Sequence, residues 1–274
     1  MRIAHRRFRR DATGDAIASR RRPMNITREQ LRYFLKDAVR MTVDFNATDQ
    51  SKGVAPPAIQ KPAPADAKRV RLTPAHDWKG INAIDLTMAI AGRRSVRKFT
   101  HGPLTLDELS YLLWATQGIR DIASTSTAFR TVPSAGCRHS FEAYICAMDV
   151  AGLTSGVYRY LPVDNELVLV AEIPDVGRRI AQAALGQTFI SRAAAVFIWT
   201  TIPYRMEWRY GLAAHKVIAI DIGHVCQNLY LACAAIKAGT CAVAAYHQQA
   251  MDELLGVDGK DEFALYLAPV GKAE

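Results

Sequence analysis

The chain has 274 residues, half of them hydrophobic and 8% aromatic, which suits one large domain or two small ones with a packed core. No apolar run read from the sequence reaches the length of a membrane span; the longest, residues 193–198, is broken soon after by Thr200 and Thr201 and reads as a buried strand. The net charge of +9 is unevenly placed: residues 1–22 hold eight arginines against Asp11 and Asp15, a net of +6, so the high pI says little about the folded body.

Residues 1–23 read as a basic disordered arm or a mis-assigned start, because Met24 follows and a helix begins at once. A basic arm can touch nucleic acid or anionic lipid. This one lacks the apolar h-region of a secretory signal. Residues 24–82 form a second unit. Thr27 and Gln30 make a capping box, and Leu31, Phe34, Leu35 and Ala38 a helical stripe, which predicts a helix over 27–41. Residues 44–80 carry Pro56, Pro57, Pro62, Pro64 and Pro74 with little periodicity, an extended arm. Val54, Ile59, Val70 and Leu72 make it too apolar for a tether, so it is expected to wrap over another surface, as the arms of dimers do.

Residues 83–274 form the main unit. A helix is expected over 83–91, stopped by Gly92. Arg93-Arg94-Ser95-Val96-Arg97-Lys98-Phe99 follows. It is either a solvated basic turn or a phosphate grip of guanidinium forks and a hydroxyl. Thr105 and Glu108 give a second capping box for a helix to about Gln117. Residues 120–140 read as an irregular polar loop, long enough to point to function. Strands are expected over 142–149, 156–160 and 166–172, then a helix from Asp175 to near Gly186 and a buried strand over 194–202. Residues 216–238 give a long, nearly all-apolar helix closed by Gly239, which belongs in a core or across a subunit interface. A short strand over 241–246, a helix over 248–255 and a strand over 262–269 complete an α+β pattern.

There is no P-loop, no GxGxxG after a strand, no HExxH and no GxSxG. The five cysteines form no Cys-x-x-Cys and have no histidine at zinc spacing, so they read as small core residues in a reducing, cytoplasmic setting. Asp221 and His224 lie three apart on one helix face. They are either half of a metal pair without a third ligand or a helix or interface contact. His215 reads as structural. Pro133-Ser134-Ala135-Gly136-Cys137-Arg138-His139 closes the long loop. Its small residues let a backbone approach a flat ligand, or they make a plain tight turn. Cys137 and His139 suggest a thiol–imidazole pair with no third group to support nucleophilic catalysis.

Four stretches taken together resemble the FMN-dependent nitroreductase family over about residues 83–272. Arg93 to Phe99 resembles its opening motif, and Pro133 to Gly136 with His139 and Glu142 its second flavin loop. Gly223-His224-Val225-Cys226-Gln227-Asn228-Leu229-Tyr230-Leu231 is similar to its central interface helix, and residues 238–245 to the flavin-contacting turn after it. The version here resembles the branch that includes the thiazoline and oxazoline dehydrogenases of peptide natural-product pathways. Gln117-Gly118 and Arg130-Thr131 match that branch without an assigned role.

The resemblance implies an α+β fold with a central, mostly antiparallel sheet surrounded by helices, and an intertwined homodimer with FMN held non-covalently at the interface. By position, Arg93, Ser95 and Arg97, with Arg94 adjoining, would grip the phosphate and ribityl chain. Pro133, Ser134, Ala135 and Gly136 would lie by the flavin ring, from the partner subunit. Gly239, Thr240, Ala244 and Ala245 would line the ring's other side, and Lys272 is the one candidate for a C-terminal phosphate cation. Cys137 stands where many members carry asparagine, and Ala244 or Ala245 where they carry glycine. The implied activity is ping-pong transfer from NAD(P)H through FMN to a nitroaromatic, a quinone or a related small acceptor, with the chemistry belonging to the cofactor. The alternatives are a substrate-specific dehydrogenase returning electrons to oxygen, and a non-enzymatic flavin carrier or partner subunit. No side chain need act as acid or base; His139 is the one candidate proton donor. No metal, membrane or nucleic-acid role is implied.

Overall fold

The computed structural model describes residues 25–273, so the expectation for the basic segment 1–23 lies outside the described residues. The helices are α1 (Arg28–Leu35), α2 (Leu86–Gly92), α3 (Leu106–Gln117), α4 (Val176–Ala183), α5 (Tyr204–Tyr210), α6 (Ala214–Ala235) and α7 (Gln248–Leu255). The strands are β1 (Arg69–Arg71), β2 (Ile119–Ser124), β3 (Thr127–Arg130), β4 (Phe141–Ala147), β5 (Gly156–Leu161), β6 (Glu166–Glu172), β7 (Ala195–Thr201), β8 (Ala238–Thr240) and β9 (Phe263–Lys272). Seven strands form one sheet in the order β1-β6-β5-β4-β7-β9-β8, each neighbouring pair antiparallel.

The central strands explain why the sheet is sandwiched. Every residue of β4 and β7 is buried, so neither face is left to water. Side chains alternate between the faces. Phe141, Ala143, Ile145, Phe197 and Trp199 point into a core shared with Leu109, Leu112 and Leu113 of α3 and Ile218, Val225 and Leu229 of α6. Tyr144, Cys146, Val196 and Ile198 point into a second core with Ile180 of α4 and Met251 and Leu255 of α7. This is the α+β sandwich expected.

Several local expectations change. Helix α1 begins at the Thr27–Gln30 capping box, but Lys36 is extended and a 3-10 turn takes over at Asp37. None of α1's residues is buried, and a cap without packing does not carry a helix further. Residues 119–130 are not irregular: β2 and β3 form a hairpin. Its Ser- and Thr-rich turn hid the strand pattern. The strand expected over 241–246 lies earlier, at β8, and only Val243 bridges back to Leu267. Helix α5 had no sequence signal distinct from its neighbours. The Tyr204–Ala235 helical stretch is long and apolar enough to cross a membrane by composition, which no single run revealed. In the fold its Ile218, Ile222, Val225 and Leu229 pack in the core.

The proline-rich arm lies on this chain's own sheet. Strand β1 pairs with β6, and Gln60 donates to Asp164 at 2.8 Å. The backbone carbonyls of Lys61 and Pro62 accept from Arg159, at 2.8 and 2.7 Å. Arg130 donates to the Ile59 carbonyl at 2.7 Å.

Candidate functional site

Gly92 ends α2 and sends the basic segment along the edge of β8. Ser95 bridges Thr240 in parallel, and the Val96 N–H donates to the Thr240 carbonyl at 2.9 Å. The approach is so close that a Cβ on Gly239 would lie 2.6 Å from Val96 Cβ. Tyr230 of α6 ties the segment down. Its hydroxyl accepts from the Ala242 N–H at 2.8 Å and shares a hydrogen bond with Ser95 Oγ at 3.1 Å. The Arg93 guanidinium sits over its ring, 5.4 Å from the centroid. The sequence reading passed over Tyr230, because one aromatic residue in an apolar helix reads as core.

Arg93, Arg94, Gly239 and Thr240 line a cavity of about 540 Å³. Thr240 Oγ1 is buried there without a hydrogen-bond partner. Arg97 is exposed on the same segment, and Ala244 and Ala245 are exposed further along, outside the lining of that cavity. Lys272 does not reach the cavity either: its ammonium is engaged by Glu108 and by the Ile236 carbonyl. Its aliphatic stem and backbone pack beside Gly102 and Thr100 instead.

The Pro133–His139 segment is built differently. Gly136 has φ +57°, and a Cβ there would meet Tyr210 Oη at 2.5 Å and Arg209 Cδ at 2.9 Å. Cys137 and His139 also adopt positive φ, 57° and 45°, a strained run of a kind that clusters at functional sites. Asp221 of α6 holds the segment by accepting from the Ala135 N–H at 3.1 Å. Burial raises the Asp221 carboxyl, opposed by hydrogen bonds from Ser134 and Ala135 and by His224. Asp221 is thus a loop anchor rather than half of a metal pair. Among the described residues, no group of three His, Cys, Asp or Glu is placed to hold a metal ion. His215 contacts Glu207 at 2.9 Å.

Beneath the loop lies a buried polar network. Glu142 pairs with Arg205 at 2.5 Å and Arg159 at 3.1 Å, and accepts the Lys61 N–H at 3.0 Å. Burial pushes the Glu142 carboxyl up, but Arg205 and Arg159 outweigh it and hold the carboxyl below its ordinary range. Gln117 and Arg130, unassigned from sequence, form a buried hydrogen bond joining α3 to β3. His139 is pushed down to about 3 by burial and by Arg130, Arg138 and Arg205. It is therefore neutral at ordinary pH and carries no proton to donate as an imidazolium, which counts against the one acid–base candidate. Its Nε2 lies 3.5 Å from Cys137 Sγ.

The loop lines a second cavity of about 440 Å³. A third, of about 370 Å³, joins the two: it shares Ile84 and Ala89 with the arginine cavity, and Arg120 and Thr131 with the loop cavity. The three form one trough beside α6.

An antiparallel sheet covered by helices on both faces is the fold expected of nitroreductases. The chain belongs to the nitroreductase family, whose profile matches residues 90–272. A nitroreductase-family protein of Methanocaldococcus jannaschii is 37% identical over 192 residues, 70% of this chain and 93% of that protein. The trifolitoxin-processing protein TfxB of Rhizobium leguminosarum is 30% identical over 129 residues, which are 45% of this chain and 34% of TfxB. A chain of the E. coli microcin synthetase McbBCD complex, bound to truncated pro-MccB17, shares the fold with TM-score 0.57 at 16% identity. That match covers 92% of this chain and 99% of the other. The microcin synthetase likeness shows the fold alone, and family membership supports an oxidoreductase role.

Proposed function

We propose that the protein is an FMN-dependent oxidoreductase that draws electrons from NAD(P)H and passes them to a nitroaromatic, a quinone or a related small acceptor. It acts as a cytoplasmic homodimer. The observation that carries this reading is the cavity where Arg93 and Arg94 meet the Ser95–Tyr230–Ala242 hydrogen-bond chain and an unpartnered, buried Thr240 hydroxyl. Guanidinium forks and a hydroxyl suit a dianionic phosphate, and the orphaned Thr240 oxygen suits a polar ligand in contact with it.

Bound FMN would supply the hydride and electron chemistry. The chain's own residues bind and orient. Arg93, Ser95 and Arg97 hold the phosphate and ribityl chain, with Arg94 adjoining. Asp221 fixes the backbone of Pro133–Gly136, which would present small residues to the flat ring held by the partner subunit. Gly239 and Thr240, with Ala244 and Ala245, line the ring's other side. Exposed apolar residues support the dimer: Leu86, Met88 and Ile90 on α2 are 63%, 66% and 56% exposed, and Ile220 on α6 is 50% exposed. Five free thiols suit a reducing compartment.

The visible spectrum of the purified protein tests the central claim. A bound flavin band, present or reconstituted with FMN, supports it, and its absence after reconstitution overturns it. Sedimentation tests the dimer. A second reading is favoured by the likeness to TfxB: a dehydrogenase acting on a modified peptide and returning electrons to oxygen. NAD(P)H oxidation stimulated by a quinone supports the first reading. A flavin-loaded protein without that stimulation supports the second.

A further inference from the structure

The net charge of the chain sits almost entirely in residues 1–41. They hold twelve lysines and arginines against four acids, a net of +8, which leaves +1 for the other 233 residues. Helix α1 lies within this stretch, and it is the one α-helix among the described residues that lies in the strongly basic part of the chain.

The helix has two sides. Gln30, Tyr33 and Phe34 line a groove of about 290 Å³ against Leu212, Ala213 and Lys216 at the start of α6. Leu31 and Leu35 are no part of that lining and are 56% and 68% exposed. Ile26 before the helix and Met41 after it are 56% and 86% exposed. At about 100° per residue, Arg28 falls within about 20° of Leu35 around the axis, and Arg32 within about 60°. Arg28, Arg32 and Lys36 make no side-chain hydrogen bond or ion pair among the described residues, whereas Arg40 is paired with Asp37 at 2.8 Å.

The Thr27–Gln30 capping box sets where α1 begins and leaves its outer side uncovered. Eight residues do not hold a helix in water without packing. Leucines flanked by arginines fit a surface that is apolar below and anionic above, which is the boundary of an anionic bilayer. Nucleic-acid phosphates would satisfy the arginines but leave Leu31, Leu35 and Met41 in water. We propose that α1 is an interfacial helix that lays Leu31, Leu35 and the flanking Ile26 and Met41 into an anionic lipid surface, with Arg28, Arg32 and Lys36 at the headgroups. The arginines of residues 1–22 add to the attraction. This docking surface uses neither the trough nor the flavin.

The test mixes the full chain with sedimentable phosphatidylcholine vesicles, with and without phosphatidylglycerol, and reads the bound fraction after centrifugation at low and high salt. Binding should require the anionic lipid and weaken as salt rises. Arg28→Gln with Arg32→Gln should weaken it about thirtyfold. Leu31→Asn with Leu35→Asn should weaken it at least about tenfold. Both double variants should unfold in urea as the wild type does, because no residue of α1 is buried. Absence of binding to anionic vesicles overturns the proposal, and retention on duplex DNA in its place would assign the charge to nucleic acid. Unchanged binding in the leucine variant also overturns it, since attraction would then be electrostatic alone. So does a leucine variant that loses self-association in sedimentation while keeping its vesicle binding, which would give this face to a second copy of the chain.

Discussion

The two ends of the trough are held in place by opposite means. The arginine end is local and exposed: Ser95 and Val96 lean on β8, and one tyrosine joins the segment to α6. The loop end is strained and half-buried, over a buried polar network whose members come from the arm, β4, β5, α5 and α6. A cationic grip for a flexible phosphate tolerates motion. A backbone that must present itself to a flat ring does not, and three positive-φ residues in four hold only if their surroundings over-determine them.

The contrast is broken most severely by Glu142→Ala, which leaves Arg159 and Arg205 buried without their anion. A loss of about 3–5 kcal/mol in urea unfolding is expected. A change below about 1 kcal/mol would mean that the network does not hold the loop. The opposite end should respond in binding rather than stability. Arg93→Ala with Arg97→Ala should weaken FMN at least about a hundredfold by equilibrium titration. Sedimentation and unfolding should stay close to wild type. Unaltered FMN affinity removes the phosphate role.

Acid titration sharpens the contrast further. His139 is held near 3 in the fold against an ordinary 6.5, so the unfolded chain takes up its proton first as pH falls. The stability contributed by this group is complete above pH 6.5 and is lost progressively toward pH 3. Glu142 is also depressed in the fold, so its contribution is full above its ordinary 4.5 and lost only below it. Wild-type stability should therefore begin to decline near pH 6.5, and His139→Gln should delay the decline. Identical profiles would show that His139 is not buried neutral. The smallest effect belongs to Tyr230→Phe, which keeps the ring under Arg93 and removes two hydrogen bonds. FMN affinity should fall several-fold, about 1 kcal/mol, with little change in unfolding.

What could be read from sequence follows the same divide. Thr105 with Glu108 announced α3, and Gln248–Leu255 was bounded correctly, because caps and periodicity are local. The arginine segment and Pro133–Gly136 were legible for that reason too. Tyr230, Arg205 and the Gln117–Arg130 pair were not, since their partners lie between 12 and 135 residues away. Asp221 was noticed, with a metal pair and a helix or interface contact both open; its partner is a backbone N–H 86 residues earlier, which no local pattern could name. The β2–β3 hairpin was lost because serine and threonine blur its alternation.

Helix α6 runs unbroken from Ala214 to Ala235 and carries an anchor for each end of the trough, Asp221 and Tyr230. Nine residues of α-helix separate them, about 13.5 Å along the axis and half a rotation around it. The helix is therefore a gauge as well as a core element. Deleting one residue between the anchors would shift their phase by about 100° and draw them about 1.5 Å closer. Length and phase in this stretch are fixed by the need to serve both anchors, even at exposed Gly223 and Gln227.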